Sequence, residues 1–191
     1  QNIINALTRP YRLAERQAYI SASIGIAEYP KDAGNADVLL ACADQAMYAA
    51  KEQGRNGFRH FTPSMQEKAE NRIRLANDLR FALSSQQFQV HYQPILDTVT
   101  GQVVKAEALL RWQHPEHGFV SPDLFITISE DTGVIHEVGN WVFREAAKLA
   151  SRWRKQCPAA CGQVSVNISP RQFMHEKTVD ALLGCLTEMN M

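Results

Sequence analysis

An α/β chain in two parts is what the sequence predicts, and three observations carry that expectation. From Val103 onward, strand-like and helix-like segments alternate in the order strand, helix, strand, helix, which favours a parallel sheet or barrel over a purely antiparallel arrangement. Ahead of them lies another strand-like run and another helix-period run, joined to the second part near residues 61–70. With 191 residues, 45% of them hydrophobic, the chain can build one or two packed cores and does not have a disordered composition.

Residues 19–27 (YISASIGIA) alternate apolar and small side chains as a strand does, and Tyr29-Pro30-Lys31-Asp32-Ala33-Gly34 then supplies turn chemistry. A helix is predicted over 37–53, where Leu40, Ala43, Met47 and Ala50 recur at helical spacing and Gly54 and Gly57 stand where it would end. Residues 58–61 read as a closing strand. A charged amphipathic helix is predicted next, over 64–84, with Ile73, Ala76, Leu79 and Leu83 on its apolar side. Residues 88–96 (FQVHYQPIL) and 103–110 read as strands on either side of a turn at 98–102. After a loop holding His114-Pro115 and His117-Gly118, helices are predicted over 121–129 and 134–155, the longer one striped by Val138, Trp141, Val142, Leu149 and Trp153. Residues 164–168 (VSVNI) read as another strand, and a final helix ends the chain.

Twenty basic residues balance twenty acidic ones, so bulk charge gives no reason to expect long nucleic acid or an anionic membrane surface as partner, and any phosphate recognition has to be local. No stretch approaches the apolar length of a membrane span, and residues 1–11 lack the regions of a signal peptide; a cytoplasmic location is expected, any membrane tether lying further upstream. Cys42, Cys157, Cys161 and Cys185 contain one close pair and no second pair at zinc-site spacing, which predicts reduced, structural thiols. His114 and His117 have no further His or Cys at a spacing that completes a metal site, and the Pro-Glu between them predicts a loop with solvated histidines.

Gln93, Glu107 and Asn167 each sit in or near the end of an otherwise apolar strand, and strand ends at one face of a barrel converge on a shared site. By spacing alone they read equally as ordinary hydrogen-bonded structure. Their neighbours add a pattern: Tyr92-Gln93-Pro94-Ile95, Glu107-Ala108-Leu109-Leu110-Arg111-Trp112 and Val166-Asn167-Ile168-Ser169 occur in this order, with Phe125-Ile126 and Glu130-Asp131-Thr132-Gly133 between them. Over about residues 68–191 the chain therefore resembles EAL domains, with one mild departure at Ile126 to Ser129, where the family often carries a proline. The resemblance implies the first half of a TIM-like (β/α) barrel and, in the intact parent, a phosphodiesterase that hydrolyses cyclic di-GMP to linear pGpG with Mg²⁺ or Mn²⁺. Such chemistry needs metal ions to neutralise phosphodiester oxygens and to supply hydroxide near neutral pH. On that pattern Glu107 and Asn167 are the catalytic metal ligands, hard oxygen donors suited to those ions. Arg111 is the phosphate contact, its planar guanidinium able to pair two oxygens, and Gln93 and Leu110 are further substrate contacts.

A second resemblance, to the closing part of GGDEF domains, runs through Ser21-Ala22-Ser23-Ile24-Gly25-Ile26-Ala27, Ala43-Asp44-Gln45-Ala46-Met47-Tyr48 and Ala50-Lys51-Glu52-Gln53-Gly54-Arg55-Asn56. It implies a cyclase-like α+β fold and matches Lys51 and Arg55 to GTP phosphate contacts; basic residues at a helix end are equally explained by its carbonyl dipole. The two resemblances divide the chain into a GGDEF part at 1–62, a linker helix at 63–85 and an EAL part at 86–191. The GGDEF signature is absent from these residues, so no cyclase activity is expected, and the EAL pattern calls for further acidic ligands and a lysine beyond Met191. The chain is thus expected to be a fragment, itself inactive, with cyclic di-GMP as partner and pairing through the EAL part. A non-catalytic cyclic di-GMP receptor and a dimerisation or scaffold module are the alternatives.

Overall fold

The computed structural model describes residues 2–156 and 162–189 and divides into two units, Gln1–Ile73 and Arg74–Met191. In the first, helix α1 (Asn2–Leu7) and a hairpin of β1 (Tyr11–Leu13) and β2 (Arg16–Ala18) precede strand β3 (Ser23–Ile26), helix α2 (Ala36–Glu52) and strand β4 (Gly57–His60). β3 and β4 pair in parallel, so α2 is the crossover between them. The strand expected over 19–27 is shortened because its partner supplies only four residues, leaving Tyr19 and Ile20 exposed. Asn35 starts α2, its side chain accepting from the Val38 amide at 2.9 Å.

The buried stripe of α2 is Cys42, Ala46 and Ala50, and Leu40 is 71% exposed, contrary to the expected stripe. Two residues along a helix is about 200° of rotation, which carries Leu40 to the side opposite Cys42. Small residues line the stripe because the backbones come close. A Cβ on Gly25 of β3 would stand 1.8 Å from the Ala43 carbonyl oxygen and 2.3 Å from the Met47 nitrogen, both backbone atoms of α2. Gly25→Ala is therefore expected to cost the first unit about 3 kcal/mol, the upper range for overpacking, since helix backbone cannot step aside. Chemical denaturation monitored by a probe in this unit checks it; a midpoint equal to that of the parent chain would show that α2 shifts freely.

Helix α3 (Pro63–Ala82) takes the place of the helix expected over 64–84. Its buried residues are Leu75, Leu79 and Ala82, with Ile73, expected on the apolar side, 64% exposed. In the second unit these three join Phe88, Trp112, Val120, Phe125, Ile128, Val138 and Val142 in one core.

That core is built between α3, a mixed sheet and two further helices. Strands β5 (Phe88–Leu96) and β6 (Val103–His114) pair antiparallel, β7 (Gly118–Val120) folds back on the end of β6, and β8 (Gln163–Val166) runs parallel to its beginning. Helices α4 (Pro122–Thr132) and α5 (Ile135–Gln156) connect β7 to β8, and α6 (Pro170–Phe173) and α7 (Thr178–Glu188) come after β8. The parallel β6 and β8 pairing across a helical crossover agrees with the strand and helix order read from the sequence. The β5–β6 turn is tied by Asp97, which accepts from the Thr100 amide (2.7 Å), the Thr100 hydroxyl (3.0 Å) and the Val99 amide (2.9 Å). These bonds, the Thr100 amide first, hold its carboxyl below the usual carboxylate range.

The loop expected at His114 is instead strand. β6 continues to His114 because β7 pairs with Trp112–His114, and His114 is 4% exposed rather than solvated. Its Nδ1 accepts from the Glu116 and His117 amides at 3.1 and 3.2 Å, leaving Nε2–H to donate to Asp78 of α3 at 3.2 Å. Cys42 and Cys185 are free and buried, whereas Cys157 and Cys161 lie outside the described residues. Among the described residues, no helix is long and apolar enough to cross a membrane.

Candidate functional site

Alternation along β6 divides its side chains between two faces. Ala106, Ala108, Trp112 and His114 are buried on one side with Phe88 of β5. Glu107, Leu109 and Arg111 point to the other side and are half-buried. The antiparallel register sets Gln93 directly opposite Glu107 and Gln89 opposite Arg111, so Gln93 shares the face of Glu107 and is exposed. Tyr92, one residue earlier, faces the helices, where burial pushes its hydroxyl above the ordinary tyrosine range.

Asn167 reaches the same face from β8. The parallel register pairs Glu107 with Ser165 and Ala108 with Val166, making Asn167 the first residue past the ladder. Its Nδ2 donates to Glu107 Oε1 at 2.8 Å. The strand expected over 164–168 ends at Val166, which leaves the Asn167 backbone free of sheet pairing among the described residues.

Of the five residues expected in the substrate and metal site, Gln93, Glu107, Arg111 and Asn167 thus share one face. Leu110 lies on the other: its side chain packs against the core, and its carbonyl accepts from Arg111 Nη1 at 2.9 Å. A cleft of about 220 Å³ lined by residues from both faces of β6 touches Leu109, Leu110, Arg111, Glu130 and Asn167 but neither Gln93 nor Glu107. The polar face, not this largely apolar cleft, is where the expected ligands meet.

With Nδ2–H directed at Glu107, the Asn167 Oδ1 and the second Glu107 oxygen remain as neighbouring hard donors. This pair fits part of the coordination sphere of an oxygen-seeking divalent cation. Among the described residues, no group of three His, Cys, Asp or Glu side chains is arranged to hold a metal. Glu107 and Asn167 therefore offer two neighbouring oxygen donors, short of a complete metal site among the described residues.

Behind Asn167 stands a network that strand-end reasoning does not single out. Ser169 caps α6: its Oγ accepts from the Arg171 amide at 3.2 Å, and its own amide donates to Gln172 Oε1 at 3.2 Å. The same hydroxyl donates to Glu130 Oε1 at the end of α4, and Arg171 donates to the Glu130 carbonyl and to Asp131 Oδ1. The Ser-x-x-Gln spacing is a readable helix-start signal. Nothing in the sequence links it to Glu130, thirty-nine residues upstream.

In the first unit, Lys51 lies in the last turn of α2 and Arg55 just beyond it, at φ 60° with its amide bonded to the Ala50 carbonyl. Both side chains are exposed.

Residues 76–190 match the family model of the EAL domain, and residues 1–57 that of the diguanylate cyclase, GGDEF domain. The bifunctional diguanylate cyclase/cyclic di-GMP phosphodiesterase MucR of Pseudomonas aeruginosa is 40% identical over 186 residues, covering 97% of this chain and 27% of that protein. The cyclic di-GMP phosphodiesterase PdeR of Escherichia coli is 38% identical over 188 residues, covering 98% of this chain and 28% of its own. The chain thus spans about a quarter of the length of these curated relatives. Among solved structures, the PaMucR phosphodiesterase in complex with c-di-GMP superposes with a TM-score of 0.58 at 37% identity, covering 62% of this chain and 47% of that one.

Proposed function

The chain belongs to the EAL domain family and carries GGDEF sequence ahead of its EAL part, and from this premise we propose that it contributes to a metal-dependent cyclic di-GMP phosphodiesterase producing linear pGpG. The observation that supports this best is the Asn167 to Glu107 hydrogen bond of 2.8 Å, which sets two oxygen-donor side chains from adjacent parallel strands side by side. Relatives that are cyclic di-GMP phosphodiesterases by name and a structural neighbour in complex with c-di-GMP support the substrate class.

In this reading Glu107 and Asn167 hold the cation, with Mg²⁺ or Mn²⁺ as the ion, in keeping with the divalent-metal dependence general among EAL phosphodiesterases. When bound, the ion neutralises phosphate oxygen charge and lowers the pKa of water. Arg111, on the same face and four residues along β6 from Glu107, offers its guanidinium to a phosphate oxygen pair. Gln93, opposite Glu107 in the ladder, donates and accepts hydrogen bonds with a nucleotide edge. Leu110 contributes through its backbone and by packing β6 against the core. In the first unit, Lys51 and Arg55 are proposed as phosphate contacts of the GGDEF part, supported by their exposure at the end of α2. The proposed division is 1–62, 63–85 and 86–191, and self-association through the EAL part is proposed with it, on the family resemblance.

Titration with cyclic di-GMP, with and without Mn²⁺, tests the reading in the protein that carries these residues. Metal-dependent release of pGpG is the expected result. Saturable binding with no turnover would make the domain a receptor, and no binding at all would leave a scaffold.

A further inference from the structure

Asn167 is held by the sheet on one side only. Its predecessor Val166 is the last residue in the ladder with β6, and its own side chain is exposed, so a single hydrogen bond to Glu107 has to overcome the freedom of an exposed rotamer. The turn on its C-terminal side is more firmly tied. Two positions on, the Ser169 hydroxyl accepts from the Arg171 amide and donates to Glu130 Oε1, while the Ser169 amide donates to Gln172 Oε1. Gln172 is only 5% exposed and lies against Gly139 of α5, where a Cβ would stand 1.8 Å from Nε2. Thr178 adds a hydrogen bond to the Gln172 carbonyl at 2.7 Å. The turn after β8 is therefore anchored to α4 through the Glu130 side chain and, by Arg171, through the Glu130 carbonyl and Asp131, and to α5 through Gln172.

We infer that Glu130 and Ser169 are positioning residues: their hydrogen bond clamps the turn after β8 and so fixes the Asn167 side chain against Glu107. A capped helix alone does not need Glu130, because the cap uses the hydroxyl as acceptor; the clamp uses its proton. The two roles are separable. Aspartate at position 169 can still accept from the Arg171 amide but has no proton to donate and sets a second negative charge against Glu130. Glutamine at position 130 keeps an Oε1 acceptor for the Ser169 hydroxyl. The role in metal binding rests on the reading of Asn167 as a ligand, whereas the orientation of its side chain is measurable on its own.

The test is ¹⁵N NMR of the 191-residue chain and its variants, reading hydrogen exchange of the Asn167 side-chain amide and its proximity to Glu107. Glu130→Ala and Ser169→Asp are expected to speed that exchange about five-fold, the scale of losing one cap-strength hydrogen bond. Backbone amides of Val90 and Ala108 in the sheet should stay unchanged, and Glu130→Gln and Ser169→Thr should behave as the parent. In a Mn²⁺ titration, the concentration that broadens Asn167 should rise about ten-fold in Glu130→Ala. Parent-like exchange in folded Glu130→Ala and Ser169→Asp would overturn the clamp. Should Ser169→Asp match the parent, capping suffices and the Ser169–Glu130 hydrogen bond is refuted as the clamp, whatever Glu130→Ala does. If Mn²⁺ leaves Asn167 of the parent unbroadened, the ligand reading fails while the exchange data still decide the clamp.

Discussion

On the proposed phosphodiesterase reading, Glu107→Gln in the complete protein is expected to lower metal-dependent cyclic di-GMP turnover by at least about 100-fold, the upper range for disturbing a metal site through its outer hydrogen-bond partners and hence a floor for removing a ligand. The substitution is nearly isosteric. Gln retains an Oε1 that accepts from Asn167 Nδ2, so the 2.8 Å contact and the register between β6 and β8 persist. What disappears is the negative charge, which a hard divalent cation needs more than it needs a neutral amide oxygen. Release of pGpG by chromatography at several Mn²⁺ concentrations reads the loss, and the thermal midpoint shows that the fold is intact. Turnover equal to that of the parent protein in a folded Glu107→Gln variant would remove Glu107 from the metal-binding role.

Trp112→Ala is expected to destabilise the second unit by about 3–5 kcal/mol, a large share of the stability of a small domain. Trp112 is 0% exposed, with its ring centroid 5.9 Å from Phe88, 5.9 Å from Phe125 and 5.4 Å from His114. Its Nε1 donates to Gln87 Oε1 at 2.9 Å, so truncation both opens a cavity and strands an acceptor. The residue stands on the strand that carries Glu107 and Arg111, with its side chain on the opposite face. The loss therefore reaches the site through the strand and not through any contact with ligand. Urea unfolding monitored by backbone circular dichroism measures it; a change under about 1 kcal/mol would mean the core does not depend on this ring. Trp112→Phe keeps an aromatic ring, gives up the bond to Gln87 and is expected to cost less than the alanine variant.

How far the site is legible in the sequence depends on the residue. Both boundaries of β5 are readable because alternation, β-branched and aromatic content and a turn at its end agree over residues 88–96. β6 reads four residues short: His114-Pro115 looks like a loop signal, and the pairing with β7 that keeps Trp112–His114 in the sheet is a tertiary fact. The same pairing, with Asp78 of α3, buries a histidine that composition would leave in water. Leu40 and Ile73 illustrate a second limit. Helical spacing identifies a stripe only to within about one residue, and which of two neighbouring stripes is buried depends on what packs there. For α2 it is the close approach of Gly25 that selects the small residues Cys42, Ala46 and Ala50.

By itself, the sequence determined the types of the longer elements, the α/β class and the family, along with the identity of the polar residues in otherwise apolar strands, but not the short α1, β1, β2, β7 and α6. These rest on local periodicity and on short motifs, which are properties of neighbours along the chain. Only the tertiary structure decided that Gln93 stands opposite Glu107, that Asn167 donates to Glu107 from sixty residues away, that Leu110 turns to the core, and that Glu130 meets Ser169. Each is a register or a crossover. A strand shifted by one residue turns every side chain to the other face with no change in its own pattern, so the side a residue faces is settled by its partner strand and by the helix that packs behind it.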